Sequence, residues 1–231
     1  MHSAIISNVK GVSSYGNPWG DKWNHLNKPG PGFHIAVHCG SGKQFLDLFK
    51  HCNLWGVPLI QASSSLKESS EKDAKPIVMP DLDGIKFPYI QAPNLALPVA
   101  ALFRVLPAYG EMIQKINGKT SVLESHQASK KSAPITAQKI LGLFGGKPEG
   151  VFSERDPVKQ KLLLGVPNKH LGAHAIHMIE IDCCGMRIQL EIRIYGRQPY
   201  VEGLGILIEK IVEMGDTLKP GVHQADELLF G

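Results

Sequence analysis

Met186-Arg187-Ile188-Gln189-Leu190-Glu191-Ile192-Arg193-Ile194-Tyr195 alternates apolar and polar side chains from end to end. A period of two belongs to an extended strand with one face buried and one wet. The run His174 to Ile181 precedes it, and Asp182-Cys183-Cys184-Gly185 between them can reverse the chain. The pattern predicts an antiparallel hairpin. Downstream, Leu204, Leu207, Ile208, Ile211 and Val212 mark one face of a helix that Gly215 ends. Upstream, Thr120 to Glu124 is a strand candidate, and Thr136 to Phe144 a helix closed by Gly145-Gly146. Leu95 to Ile116 has helical period, with Pro98 and Pro107 limiting it to a kinked or broken helix. This rear half reads as α+β.

Further toward the N-terminus the pattern changes. Phe33 to His38 is a strand-like run, Gly42 to His51 carries Phe45, Leu46, Leu48 and Phe49 at helical spacing, and Val57 to Ile60 and Phe87 to Gln91 are further strands. Strands alternating with a helix over short connections predict a parallel α/β sheet. Ser63 to Lys75 is a polar, serine-rich helix end or exposed loop. The expected organisation is an α/β unit over 1–91, an α+β unit over 92–215, and a C-terminal segment over 216–231.

Composition narrows the function. A chain of 231 residues with 43% hydrophobic side chains has enough apolar surface for a real core. No apolar run approaches the roughly 18 residues of a membrane span, so no membrane partner is expected. A net charge of +4 suits a small anionic substrate and is too dispersed to argue for nucleic acid. Cys39, Cys52, Cys183 and Cys184 lack zinc-ligand spacing and the density of a secreted scaffold, which reads as reduced thiols in a cytosol-like compartment. His34 and His38, on an apolar strand with no cluster to complete a metal site, read as structural, and no metal is expected.

The chemistry concentrates in Glu124-Ser125-His126-Gln127-Ala128-Ser129-Lys130-Lys131-Ser132-Ala133-Pro134-Ile135-Thr136-Ala137, read as a loop between a strand and a helix. Histidine exchanges protons near neutrality, a lysine four residues on can neutralise a carboxylate or deliver a proton, and the helix start behind Thr136 offers free N–H groups to an anion. A polar loop with these residues is more often simply solvated. His174 and His177 fall on opposite faces of their strand, so at most one faces this loop.

Glu124 to Lys130 resembles the substrate loop of dihydrodipicolinate reductases in its plant-type form, E-S-H-Q-x-x-K-x-D-x-S-G-T-A. Glu154-Arg155-Asp156-Pro157-Val158-Lys159-Gln160, Gly165-Val166-Pro167, His174-Ala175-Ile176-His177 and Gly196-Arg197-Gln198-Pro199-Tyr200-Val201-Glu202-Gly203 are similar to that branch's R-D-P-x-x-Q, G-V-P, H-A-x-H and G-R-x-x-Y-A-E-G, in family order. The resemblance covers the chain from about Gly32 to its end. It implies reduction of 4-hydroxy-tetrahydrodipicolinate, a small dicarboxylate, by NADPH or NADH in lysine and diaminopimelate synthesis. It implies His126 as proton donor and Lys130 as the residue that binds substrate and assists proton transfer, with Gln127, Ile135 and Thr136 beside them. Ile60-Gln61-Ala62-Ser63-Ser64 occupies the place of the family's I-G-T-T-G loop and Ala92-Pro93-Asn94-Leu95 that of A-P-N-F, so Gln61, Ala62, Ser63, Ala92, Pro93, Asn94 and Leu95 stand where the family contacts nicotinamide. Gln61 and Ile135 replace glycines, and Ser132 replaces an aspartate.

The family opens with a G-x-x-G-x-M-G turn, whereas Gly11 to Trp19 here looks like the second strand and its loop, with Ser13 and Ser14 at the ribose-binding place. The first βα unit is therefore expected to be absent, and the resemblance implies an α/β fold with an incomplete, truncated Rossmann-like cofactor unit over 1–91, an α+β substrate-binding and oligomerisation unit over 92–215, and a C-terminal segment, 216–231, able to return to the first unit. A homo-oligomer built through Met186 to Tyr195 is also implied, in a cytoplasm or, for a photosynthetic source, a plastid stroma. The competing expectation is a non-catalytic member kept as a binding or assembly protein.

Overall fold

A computed structural model of the protein describes residues 34–39, 42–63, 66, 75–130 and 134–231. Strand β1 (Ala36–His38), helix α1 (Gly42–Trp55), β2 (Leu59–Gln61) and β3 (Pro88–Gln91) lead into α2 (Leu97–Lys115), and the order continues through β4 (Lys119–His126), α3 (Ile135–Leu143), β5 (Val151–Glu154), α4 (Pro157–Leu162), β6 (His174–Cys183), β7 (Met186–Tyr195), α5 (Gln198–Met214), β8 (Gly221–Gln224) and α6 (Ala225–Phe230). Two four-stranded sheets result.

The first sheet, ordered β1-β2-β3-β8, is parallel throughout. Phe45, Phe49, Leu59, Phe87 and Tyr89 pack between α1 and one face, with neighbouring aromatic rings edge-on or tilted. Leu204, Leu207 and Ile211 of α5 pack with Ile60, Ile90 and Ala225. β8 and α6, for which the sequence offered no pattern, bring the C-terminus back to this sheet beside β3. The strand and loop expected over Gly11 to Trp19, with Ser13 and Ser14, fall outside the described residues.

The second sheet runs β5-β4-β6-β7, with β4–β6 and β6–β7 antiparallel and β4–β5 parallel. The hairpin is present, closed by Cys184 and Gly185 between the paired Cys183 and Met186. α2 and α3 cover one face through Leu106, Ile113, Ile140 and Leu141 against Val122, Ile179 and Ile181.

Three sequence expectations are corrected. Helix α2 is unbroken, because Pro98 sits in the first turn, where its missing N–H has no intrahelical acceptor to lose, and Pro107 is accommodated within the helix. The apolar face of β7 is not uniformly buried: Ile194 is, whereas Ile188 is 37% exposed, lying outside the packed clusters that take in Leu190, Ile192 and Ile194. His126 is the last residue of β4 rather than a loop residue. Register pairing extends the strand to it, opposite Ala175.

Candidate active site

Because successive strand residues face opposite ways, Glu124 and His126 project from one face of β4, and the register sets His177 beside Glu124 on that face. Ser125 and His174 lie on the other face, where Ser125 Oγ–H donates to His174 Nε2 at 2.9 Å and His174 Nδ1–H donates to the His170 carbonyl at 3.0 Å. One histidine of the H-A-x-H element thus faces the site and the other braces the sheet from behind.

Glu124 is fully buried. Its Oε1 accepts from Ser153 Oγ–H at 2.7 Å and from the Arg155 guanidinium. Burial pushes its carboxyl pKa up, but the hydrogen bonds from Arg155 and Ser153 and the Arg155 charge outweigh this and hold it below the ordinary value. Its Oε2 has no hydrogen-bond partner and lies 3.6 Å from His126 Nε2. His126 Nδ1 is 2.9 Å from the His174 carbonyl, which only accepts, so the proton of the neutral ring sits on Nδ1 and Nε2 is bare. Two acceptors therefore face each other across a gap that wants one proton. Desolvation, with the Lys130 charge adding and Glu124 opposing, holds His126 down to about 4. The His177 ring meets that of His126 edge-on, 5.8 Å between centroids, and desolvation holds it at about 4 as well. Lys130 is depressed by burial, with Glu124 opposing and Arg155 adding.

The R-D-P-x-x-Q element holds this arrangement. Arg155 binds Glu124, and Asp156 caps α4 by accepting from the Val158 N–H at 2.8 Å, with Pro157 in the first turn. Fully buried Gln160 then donates through Nε2 to the carbonyls of His126 at 2.7 Å and Glu154 at 3.0 Å, tying together the ends of β4 and β5. Glu124, Ser153, Arg155, Gln160 and His177 were not assigned to the site from sequence, although four of them stand in the quoted motifs. Alternation along β4 was the signal that could have found Glu124.

The remaining predicted positions divide. Gln127 contributes its carbonyl, which accepts from the Lys130 N–H at 2.9 Å and bends the chain after β4. Ile135 and Thr136 open α3, whose N-terminus has no side-chain cap. On the parallel sheet, Gln61 to Ser63 and Ala92 to Leu95 follow the carboxyl ends of adjacent strands, where open α/β sheets bind their ligands. The Gln61 side chain is drawn back: Oε1 accepts from Tyr89 O–H, and Nε2 donates to the Ser63 carbonyl at 3.0 Å. The Ala62 N–H donates to the His38 carbonyl and the Ala92 N–H to that of Gln61. Asn94 Oδ1 accepts from the Ala96 N–H at 2.9 Å, Pro93 is exposed, and Leu95 turns its side chain into the core. His38 is buried edge-on against Phe45.

The two half-sites adjoin. Ala96, directly after the second loop, packs with Ala175, the residue opposite His126. Gly203 explains the close of G-R-x-x-Y-A-E-G: a Cβ there would lie 1.7 Å from the Leu95 carbonyl oxygen, so only glycine lets α5 press this loop into place.

No family model matches the sequence. Among curated proteins, "Probable 4-hydroxy-tetrahydrodipicolinate reductase 1, chloroplastic" of Oryza sativa subsp. japonica is 32% identical over 111 residues, 44% of this chain and 32% of that protein. 4-Hydroxy-tetrahydrodipicolinate reductase 1, chloroplastic, of Arabidopsis thaliana is 34% identical over 91 residues, 36% of this chain and 26% of its own length. The matched stretch is thus about a third or less of these relatives. Among solved structures, the dipicolinate-bound dihydrodipicolinate reductase of Paenisporosarcina sp. TG-14 superposes with a TM-score of 0.54 at 15% identity, over 82% of this chain and 71% of that one. That likeness carries the fold, a Rossmann-like sheet joined to a mixed-sheet unit. The plant relatives and the motif residues gathered around Glu124 make this chain similar to 4-hydroxy-tetrahydrodipicolinate reductases over the matched stretch.

Proposed function

We propose that the protein reduces 4-hydroxy-tetrahydrodipicolinate to tetrahydrodipicolinate with NADPH or NADH. The observation that carries this reading is the proton-deficient pair of Glu124 Oε2 and His126 Nε2, buried beside Lys130. Lys130 and the uncapped start of α3 at Ile135 and Thr136 supply positive charge and N–H groups for a dicarboxylate. As that dianion enters, its charge raises the pKa of His126, which takes up the missing proton, donates from Nδ1 to the His174 carbonyl and shares the Nε2 proton with Glu124. The imidazolium is then the acid of the reaction, and Lys130 holds the substrate against it.

When bound, the nicotinamide supplies the hydride. The withdrawn Gln61 side chain leaves backbone at the rim of its loop, so the residues present fit the ring despite the lost glycine. Ala62, Ser63, Ala92, Pro93 and Asn94 would hold it, with Leu95 anchoring their loop in the core. We assign the protein to lysine and diaminopimelate synthesis, and to the plastid stroma where the source is photosynthetic, in keeping with the chloroplastic names of its relatives. A second copy would associate through β7, a ten-residue edge strand with Met186 64% exposed. Light scattering that finds only monomer would remove that part.

The test is a titration of the purified chain with NADH and NADPH, then turnover of freshly generated hydroxy-tetrahydrodipicolinate. Saturable binding with turnover that disappears in His126→Ala supports the reductase. Binding without turnover, or none by the folded chain, supports a non-catalytic member instead.

A further inference from the structure

The opposite end of the second sheet carries a separate cluster. Adjacent strand residues normally point to opposite faces. Cys184, however, has φ +53°, and this left-handed turn conformation swings its thiol to the side of Cys183, leaving the two sulfurs 3.2 Å apart. Cys183 Sγ also lies 3.6 Å from the Ile116 carbonyl oxygen. Among the described residues, Asn117 and Cys184 are the non-glycine positions with positive φ. Both line one surface pocket of about 430 Å³, with Lys119, Asp182, Met186 and Arg187.

We propose that this hairpin turn is a binding site for a soft, low-coordinate d10 cation of the copper(I) type, held by Cys183 and Cys184. Geometry favours a bridging ion over a disulfide. Adjacent residues across a trans peptide have Cα atoms about 3.8 Å apart, short of the roughly 4.4–6.8 Å that an unstrained disulfide spans. Two metal–sulfur bonds of about 2.3 Å at the roughly 120° angle of a three-coordinate ion need sulfurs about 4.0 Å apart, an opening of the observed pair by under about 1 Å. The donor set selects the metal. Two thiols with a methionine thioether in the lining suit a soft ion. Asp182 is engaged by Arg187 through two hydrogen bonds of 2.8 and 3.1 Å, and no group of three or more His, Cys, Asp or Glu able to hold a metal occurs among the described residues. The site is therefore short of ligands for tetrahedral zinc. Binding involves no redox change: each thiol gives its proton to solvent, two sulfur–metal bonds form, and Lys119 offsets the surplus negative charge. The eight residues of β4 put this turn about 23 Å from His126, so the site is independent of the proposed reaction.

The test is anaerobic titration of the full chain with copper(I) against the chromophoric chelator bicinchoninate. The wild type is expected to hold one equivalent in competition, and Cys183→Ser and Cys184→Asn each to weaken it at least a hundredfold. Asparagine tolerates the left-handed conformation, so the second variant keeps its fold. Cys39→Ser is expected to bind as the wild type does. Undiminished binding in a combined Cys183→Ser/Cys184→Asn chain, or binding that follows Cys39, overturns the proposal.

Discussion

At its His126 end, β4 carries two titratable side chains almost sealed from water, 13% and 0% exposed, and a third chain segment holds each of them in place. At its Lys119 end, the neighbouring hairpin lifts an exposed thiol into solvent on a strained turn. The same sheet register frames both ends, and the difference lies in desolvation. Where water is excluded, every polar group must find a partner or remain poised for one; where water is present, backbone conformation alone decides which side chains meet.

The sharpest way to break the comparison is to leave the buried carboxylate uncompensated. Arg155→Ala is expected to cost about 3 kcal/mol of unfolding free energy, measured by denaturant titration, whereas Arg187→Ala at the wet end, with its solvent-screened ion pairs to Asp182 and Glu180, is expected to leave the denaturant midpoint nearly unchanged. Glu124→Gln combined with Arg155→Met should recover much of that stability while turnover stays down by roughly 10², since the proton acceptor is gone.

Acid should separate the ends next. His126 and His177 are held at about 4, below the ordinary 6.5, so between those pH values the unfolded chain binds the additional protons. Their contribution is whole above pH 6.5 and is lost as the pH falls toward 4, on the order of 2 kcal/mol for each ring. Glu124, shifted below 4.5, loses its contribution only at still lower pH. Denaturant midpoints at pH 7, 5.5 and 4.5 should fall accordingly, and less steeply in His177→Asn. An unchanged slope in that variant would deny His177 its buried neutral state.

Gly203→Ala should cost about 2 kcal/mol by driving a methyl group into the Leu95 carbonyl. It should also raise the KM for the nicotinamide cofactor more than it lowers kcat, which steady-state kinetics would resolve. The smallest effect expected is a gain: Cys184→Asn should stabilise the chain by about 0.5 kcal/mol in thermal unfolding, because asparagine suits the left-handed turn better than cysteine does.

Much of this was legible in the sequence where a side chain repeats with the period of its element. The alternation from Met186 to Tyr195 and the apolar spacing of Leu204 to Val212 correspond to β7 and α5. β5 and β8 are four residues each, too short for a period to register, and exist because a neighbouring strand pairs with them. His126 and Lys130 were visible as chemistry. Glu124 and Arg155 were visible only as letters of two motifs 31 residues apart, and nothing local to either says that they meet. Gly203 likewise needs the Leu95 carbonyl, a contact between distant segments, to explain why it has no side chain.

The pairing of β8 with β3 has a consequence for how the chain is made. Gln91 and Gln224, joined by a side-chain hydrogen bond across these strands, are 133 residues apart. During synthesis the outer edge of β3 therefore waits, with unsatisfied backbone groups, until nearly the whole rear sheet has emerged. Residues 221–230 act as a closing seam, so loss of β8 and α6 would expose an edge that invites aggregation even while the site around His126 stays intact.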